Sequence, residues 1–217
     1  MTDALDARHW GTFAGRAALL TGGFVIGLMG LVYYDTWMKR RRESRLVGPG
    51  AAAVDEFQRR GLHTLSPAHM LALLIATGIG IHNFGEGLAI GQSAAAGKVT
   101  LALVLIIGFG LHNATEGFAV TGPLGQEGRM PSWRFLGLLG LIGGGPTFLG
   151  TVVGHAWVSI ALQVFFFALA AGSILYVVIE LAAVCRRYSM PVLISWAIML
   201  GIVLGFATDF VLSAAGA

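Results

Sequence analysis

Six stretches of this chain are almost free of charge. Residues 17–34, 135–154 and 191–208 contain no Asp, Glu, Lys or Arg, and 69–97, 99–126 and 156–185 contain one each: Glu86, Glu116 and Glu180. A helix rises 1.5 Å per residue, so crossing the hydrocarbon of a bilayer takes about 20 apolar residues. The alternation that marks membrane β-strands is absent. The pattern therefore predicts six spanning helices, at approximately 13–37, 68–95, 99–121, 134–154, 157–184 and 191–212, with one sizeable polar loop at 38–66. Local signals refine this. Ser66-Pro67 reads as the N-cap and first position of the second helix. The short AAGKVT segment makes helices two and three an antiparallel hairpin. Gly143-Gly144-Gly145-Pro146 falls in the middle of the fourth span, where a missing backbone donor predicts a break or kink.

Composition fits one membrane domain over 1–217. The chain is 56% hydrophobic and 12% charged, about half the charge of a soluble protein. Its mean hydropathy is +0.77. The 32 glycines suit helices that approach closely in lipid. A net charge of +3 could suggest nucleic acid, but its placement argues for the bilayer instead. Of 14 basic residues, seven lie between Lys39 and Arg60, and Arg129, Arg134, Arg186 and Arg187 follow the third and fifth spans. The excess of Lys and Arg in cytoplasmic loops then places 38–66 inside and both termini outside, as in a multi-pass protein of the cell (plasma) membrane. A single cysteine, Cys185, excludes an internal disulfide or a thiolate metal cage.

The polar exceptions carry the chemistry. GIHNFGEGLAI at 80–90 returns as GLHNATEGFAV at 110–120, so that His82, Asn83 and Glu86 recur as His112, Asn113 and Glu116. On a helix, i and i+4 share a face, which stacks each His over its Glu. Both motifs fall near mid-span on adjacent antiparallel helices, a local inverted repeat able to converge at one depth. An ionised carboxylate there costs at least about 2.5 kcal/mol, and two facing ones repel unless a proton or cation lies between them. A divalent metal meets both demands, with glutamates neutralising it and neutral imidazoles binding it. Nitrogen and oxygen ligands without thiolate suit zinc, iron(II), manganese(II), cadmium(II) or similar ions, and do not choose among them.

At these residues the chain resembles the ZIP family of divalent metal transporters. HNFGEGLAIG and HNATEGFAV are similar to the family's fourth and fifth helices, GGGPTFLG to its sixth, FALAAGSILYVVIEL to its seventh, and GFVIGLMGLVYYD to its third. The resemblance implies an all-α fold, here with six of the family's usual eight helices. It implies a principal site of His82, Glu86, His112 and Glu116. Asn83 and Asn113, with the two glutamates bridging, would help form a second. Gly85 and Thr115 stand where many members have proline before the glutamate, and Gly145 where many have glutamate before the sixth-helix proline, which leaves one ion or two open. Glu180 resembles a family glutamate near the metal path, with a snorkelling or hydrogen-bonded role as the equal alternative. Cover for one flank of the hairpin would come from a second subunit, as in a homodimer, or from helices encoded upstream of Met1.

Transport toward the cytoplasm, by sliding of the metal-bearing helices against a scaffold, is the expected function, with the metal as cargo and no cofactor. A membrane-embedded metalloenzyme is the main alternative. It lacks HExxH and any mid-membrane Ser or Cys paired with a base. A non-transporting ZIP-like scaffold is the other.

Overall fold

The structure, a computed structural model, describes residues 10–43, 65–128, 130–187 and 189–214. It contains α1 (Trp10–Glu43), α2 (Pro67–Ala95), α3 (Val99–Thr121), a 3-10 helix (Gly122–Glu127), α4 (Trp133–Ala156), α5 (Ile160–Arg186) and α6 (Pro191–Ala214), with no strand among the described residues. All six α-helices are long and apolar enough to cross a membrane. This is the all-α membrane architecture that the charge-free runs predict.

The ends follow local chemistry. Ser66 Oγ accepts the His69 N–H at 3.2 Å with Pro67 opening the first turn of α2, and Ser132 and Ser159 cap α4 and α5 in the same way. Gly97 takes φ +73°, the left-handed backbone that lets α2 turn directly into α3. No glycine or proline interrupts 31–43, and α1 continues to Glu43 through the start of the expected loop, with Asp35 and Lys39 paired at 2.6 Å across one turn. The rest of that loop, 44–64, lies outside the described residues.

The helices are not equally embedded. α2 sits at the centre and packs most extensively against α4, while α1 packs against α5. Both pairs use glycine for backbone contact. A methyl group on Gly80, Gly87 or Gly91 would overlap the carbonyl of Ile142, Thr147 or Thr151 on α4, and one on Gly27 or Gly172 would overlap backbone across the α1–α5 pair. The third interface, α2 with α5, has a different texture: Gly78 meets the Val177 side chain and Gly85 meets Ala170 Cβ. Leu31, Ile75, Ile79, Leu139, Tyr176 and Val177 belong to the buried cluster that joins these helices. By contrast α3 is largely open on its outer side, and no residue in the apolar span of α6 is buried.

The GGGP stretch does not interrupt its helix. α4 is continuous through Pro146, so the expected break is not there. Its neighbour packs closely there: Gly80 brings α2 against the Ile142 carbonyl that proline leaves without a helical donor, and Asn83 donates its amide N–H to the next carbonyl, Gly143 O, at 3.0 Å.

Gly87 and Gly117 hold the same place in the two motif copies but have opposite surroundings, since nothing lies within 4 Å of a methyl added at Gly117. Gly87→Ala should therefore destabilise by about 1–3 kcal/mol through overpacking, and Gly117→Ala should fall within about 0.5 kcal/mol of the parent. Thermal unfolding of both variants in the same detergent checks the contrast.

Candidate metal centre

His82 and His112 stand at equal sequence distance on either side of Gly97, so the antiparallel hairpin brings them level. Their rings lie 6.3 Å apart between centroids. His82 Nε2 is 3.6 Å from Glu86 Oε1 and 4.0 Å from Glu116 Oε1, and His112 Nε2 is 3.4 Å from Glu116 Oε1. Ligand atoms of His82, Glu86 and His112 all fall within 4.8 Å of one another. Glu116 Oε1 thus lies between the two imidazoles, and His82 is shared by carboxylates from both helices.

Burial around this group is uneven. The Glu86 side chain is 7% exposed and that of Glu116 11%, whereas His112 is 44% exposed on the open side of α3. The two carboxylates are the deeply placed groups. Each has one oxygen near a histidine and the other, Oε2, buried without a hydrogen-bond partner. Asn83 Oδ1, Asn113 Oδ1 and His82 Nδ1 are buried and unpartnered as well. Unsatisfied buried acceptors cost about 1–3 kcal/mol each. Four such oxygens on two antiparallel helices, with no donor among them, form a constellation that a cation would satisfy.

The asparagines differ in what holds them. Asn83 is anchored by its N–H to Gly143 O, and its oxygen is left without a partner. Asn83, Asn113 and Glu116 line one cavity of about 290 Å³, continued by Val120, Thr121, Leu136 and Gly140 along α3 and α4. It extends toward the end of the bundle where α4 starts.

Of the seven residues singled out in the sequence, the structure groups His82, Glu86, His112 and Glu116, with Asn83 and Asn113 alongside. Glu180 is elsewhere. It lines a different cavity of about 350 Å³, with Asp35, Lys39, Glu127 and Arg187, at the end of the bundle nearest the basic loop. One oxygen was not expected: the Thr147 hydroxyl, buried and unpartnered on α4 beside Gly87. Its signal in the sequence is faint, a threonine directly after the helical proline.

A family model described as ZIP zinc transporter matches residues 39–213. The chain belongs to the ZIP zinc transporter family. No curated protein and no solved structure gives a match. The family transports divalent metal ions, and this ZIP protein is a multi-pass membrane protein with a His/Glu group suited to holding one.

Asn83→Ala removes both an unpartnered oxygen and the bond to Gly143, and should lower stability by about 1 kcal/mol. Asn113→Ala leaves no such bond broken and should unfold with the parent. Thermal unfolding in zinc-free buffer separates the two.

Proposed function

We propose that this ZIP protein carries divalent transition-metal ions, zinc foremost, across the cell membrane toward the cytoplasm, with His82, Glu86, His112 and Glu116 as the principal ligands. The observation that carries the proposal is the pair of buried carboxylates, each with an unpartnered oxygen, converging from two helices at mid-span. Two negative charges in hydrocarbon match one divalent ion. Asn83 and Asn113 supply neutral oxygens on the side of the 290 Å³ cavity, where a second ion, if bound, shares the glutamates. Iron(II), manganese(II) and cadmium(II) accept the same donors and are weaker candidates for cargo.

The chemistry favours a carrier over a metalloenzyme. Ligands from two helices can bind and release an ion without any chemistry on a substrate, and the sequence has no HExxH motif. Glycine-to-carbonyl packing makes α2 with α4 and α1 with α5 into tight pairs, and the side-chain seam between α2 and α5 is where one pair can slide on the other. The cavity lined by Glu180, Asp35 and Glu127, with Lys39 and Arg187 beside them, supports a place for Glu180 on the ion's path and not at the centre. The basic residues of 38–66 put that mouth in the cytoplasm and both termini outside. The whole of 1–217 works as one membrane domain, and in a homodimer the second subunit covers the open flank of α3.

Zinc uptake into proteoliposomes tests the reading. Glu86→Ala and Glu116→Ala should each reduce uptake to background while the protein stays folded, because each removes half of the compensating charge; near-parental uptake by both would remove the basis for the site. Topology has its own check. A cysteine placed at Ala52 should resist an impermeant thiol reagent in intact cells and react once the membrane is opened.

A further inference from the structure

Glutamine is an expensive residue to bury among apolar helices, and this chain buries one at the end of α2 away from the basic loop. Gln92 is 4% exposed, and both ends of its amide are engaged. Its N–H reaches the carbonyl of Trp157 at 3.4 Å, just past the last turn of α4, and its oxygen accepts from the Nε2 of Gln163 in the first turn of α5. These bonds join different bodies. Trp157 is the C-cap of α4, its own N–H bonded to the Val153 carbonyl, and α4 is the helix to which α2 is already bound by glycine contacts. Gln163 belongs to α5, across the seam where the nearest contacts at Gly78 and Gly85 are side chains and the backbone carbonyls of Ser173 and Phe166 stand farther off. Trp157 thus orients the Gln92 amide within its own pair, and the oxygen left over is aimed at the other pair.

We propose that the Gln92–Gln163 amide pair is a latch, fixing the register of α2 against α5, and that ion passage requires it to open. The proposal rests on the transport reading above, but its main test needs no metal. A side-chain seam slides with little loss of contact, whereas an amide pair with one buried member has one good register. Breaking it strands the buried Gln92 oxygen until water or another donor reaches it. The latch therefore gives the seam discrete stops, as a two-state transporter needs.

Ala170 faces Gly85 across the seam and is 5% exposed. In a Cys185→Ser background, Ala170→Cys should react slowly with a water-soluble thiol reagent, at a rate set by how often the seam parts. One hydrogen bond of about 1 kcal/mol corresponds to about a fivefold change in that population. Gln163→Met, close in volume but without a donor, should raise the labelling rate about fivefold. Gln92→Met should raise it at least as much, and the double variant should go no further than Gln92→Met alone. Unchanged rates in both single variants would overturn the latch, and so would effects that multiply in the double variant, since those mark two independent destabilisations. In a separate protein, Gln92→Cys with Gln163→Cys joined by a short bifunctional thiol reagent should lose zinc uptake and regain it on reduction; uptake unaffected by the cross-link would refute the need for opening. If the parent itself moves no zinc, the transport reading fails while the labelling result still judges the latch.

Discussion

Charge in hydrocarbon is the constraint on which the rest of this molecule depends. Six helices of apolar residues dissolve readily in a bilayer, and their backbone groups are satisfied within each helix. Against that background, two carboxylates inside the apolar spans are an anomaly that the fold has to accommodate. It does so partially. Each carboxylate has one oxygen close to an imidazole, and the remaining oxygens stay buried without donors. A protein built only for stability would fill such positions with apolar residues, since replacing buried ion pairs often stabilises. Keeping the acceptors unsatisfied preserves an attraction for a cation that is strong in a low-dielectric setting and ends when the ion leaves.

Glycine does the complementary work. In lipid there is no hydrophobic gain from joining helices, so association depends on close packing and a few polar bonds. Where backbone meets backbone, as in α2 with α4, the pair is held closely. Where side chains meet, as in α2 with α5, the surface is smoother and the bond across it is localised at one amide pair. The distribution of glycines thus divides the helices into parts, although the chain has no soluble linker between them among its described residues.

Much of this was legible in the sequence, for definable reasons. Charge-free runs, serine caps and the Ser66-Pro67 start are local signals, and local signals found the helices. The HNxxEG repeat at a fixed interval, either side of a short turn, found the residues that meet in space. Other features are set by neighbours and leave no local trace. Pro146 marks a break by its own chemistry, yet α4 runs on through it, with Gly80 and Asn83, more than 60 residues earlier, packed against the carbonyls of the preceding turn. Glu180 is as isolated in its span as Glu86 or Glu116, so hydropathy ranks the three alike, and only packing puts it in a cavity with Asp35 and Glu127. The two glycines after the motif glutamates read identically, and nothing in the sequence says that one touches a carbonyl and the other nothing.

That last inequality has a mechanical consequence. Half of the proposed ligands stand on a helix clamped along its length, and half on one that is nearly free on its outer side. A cage of this kind has one rigid wall and one elastic wall. Ions of different radius can be gripped by displacing α3 a fraction of an ångström, at little strain, because few neighbours have to move with it. Fit alone is then a poor discriminator, and preference among similar divalent ions falls to what does not depend on radius: the softness of the donors, and how readily each ion gives up water before entering and its last ligand on leaving.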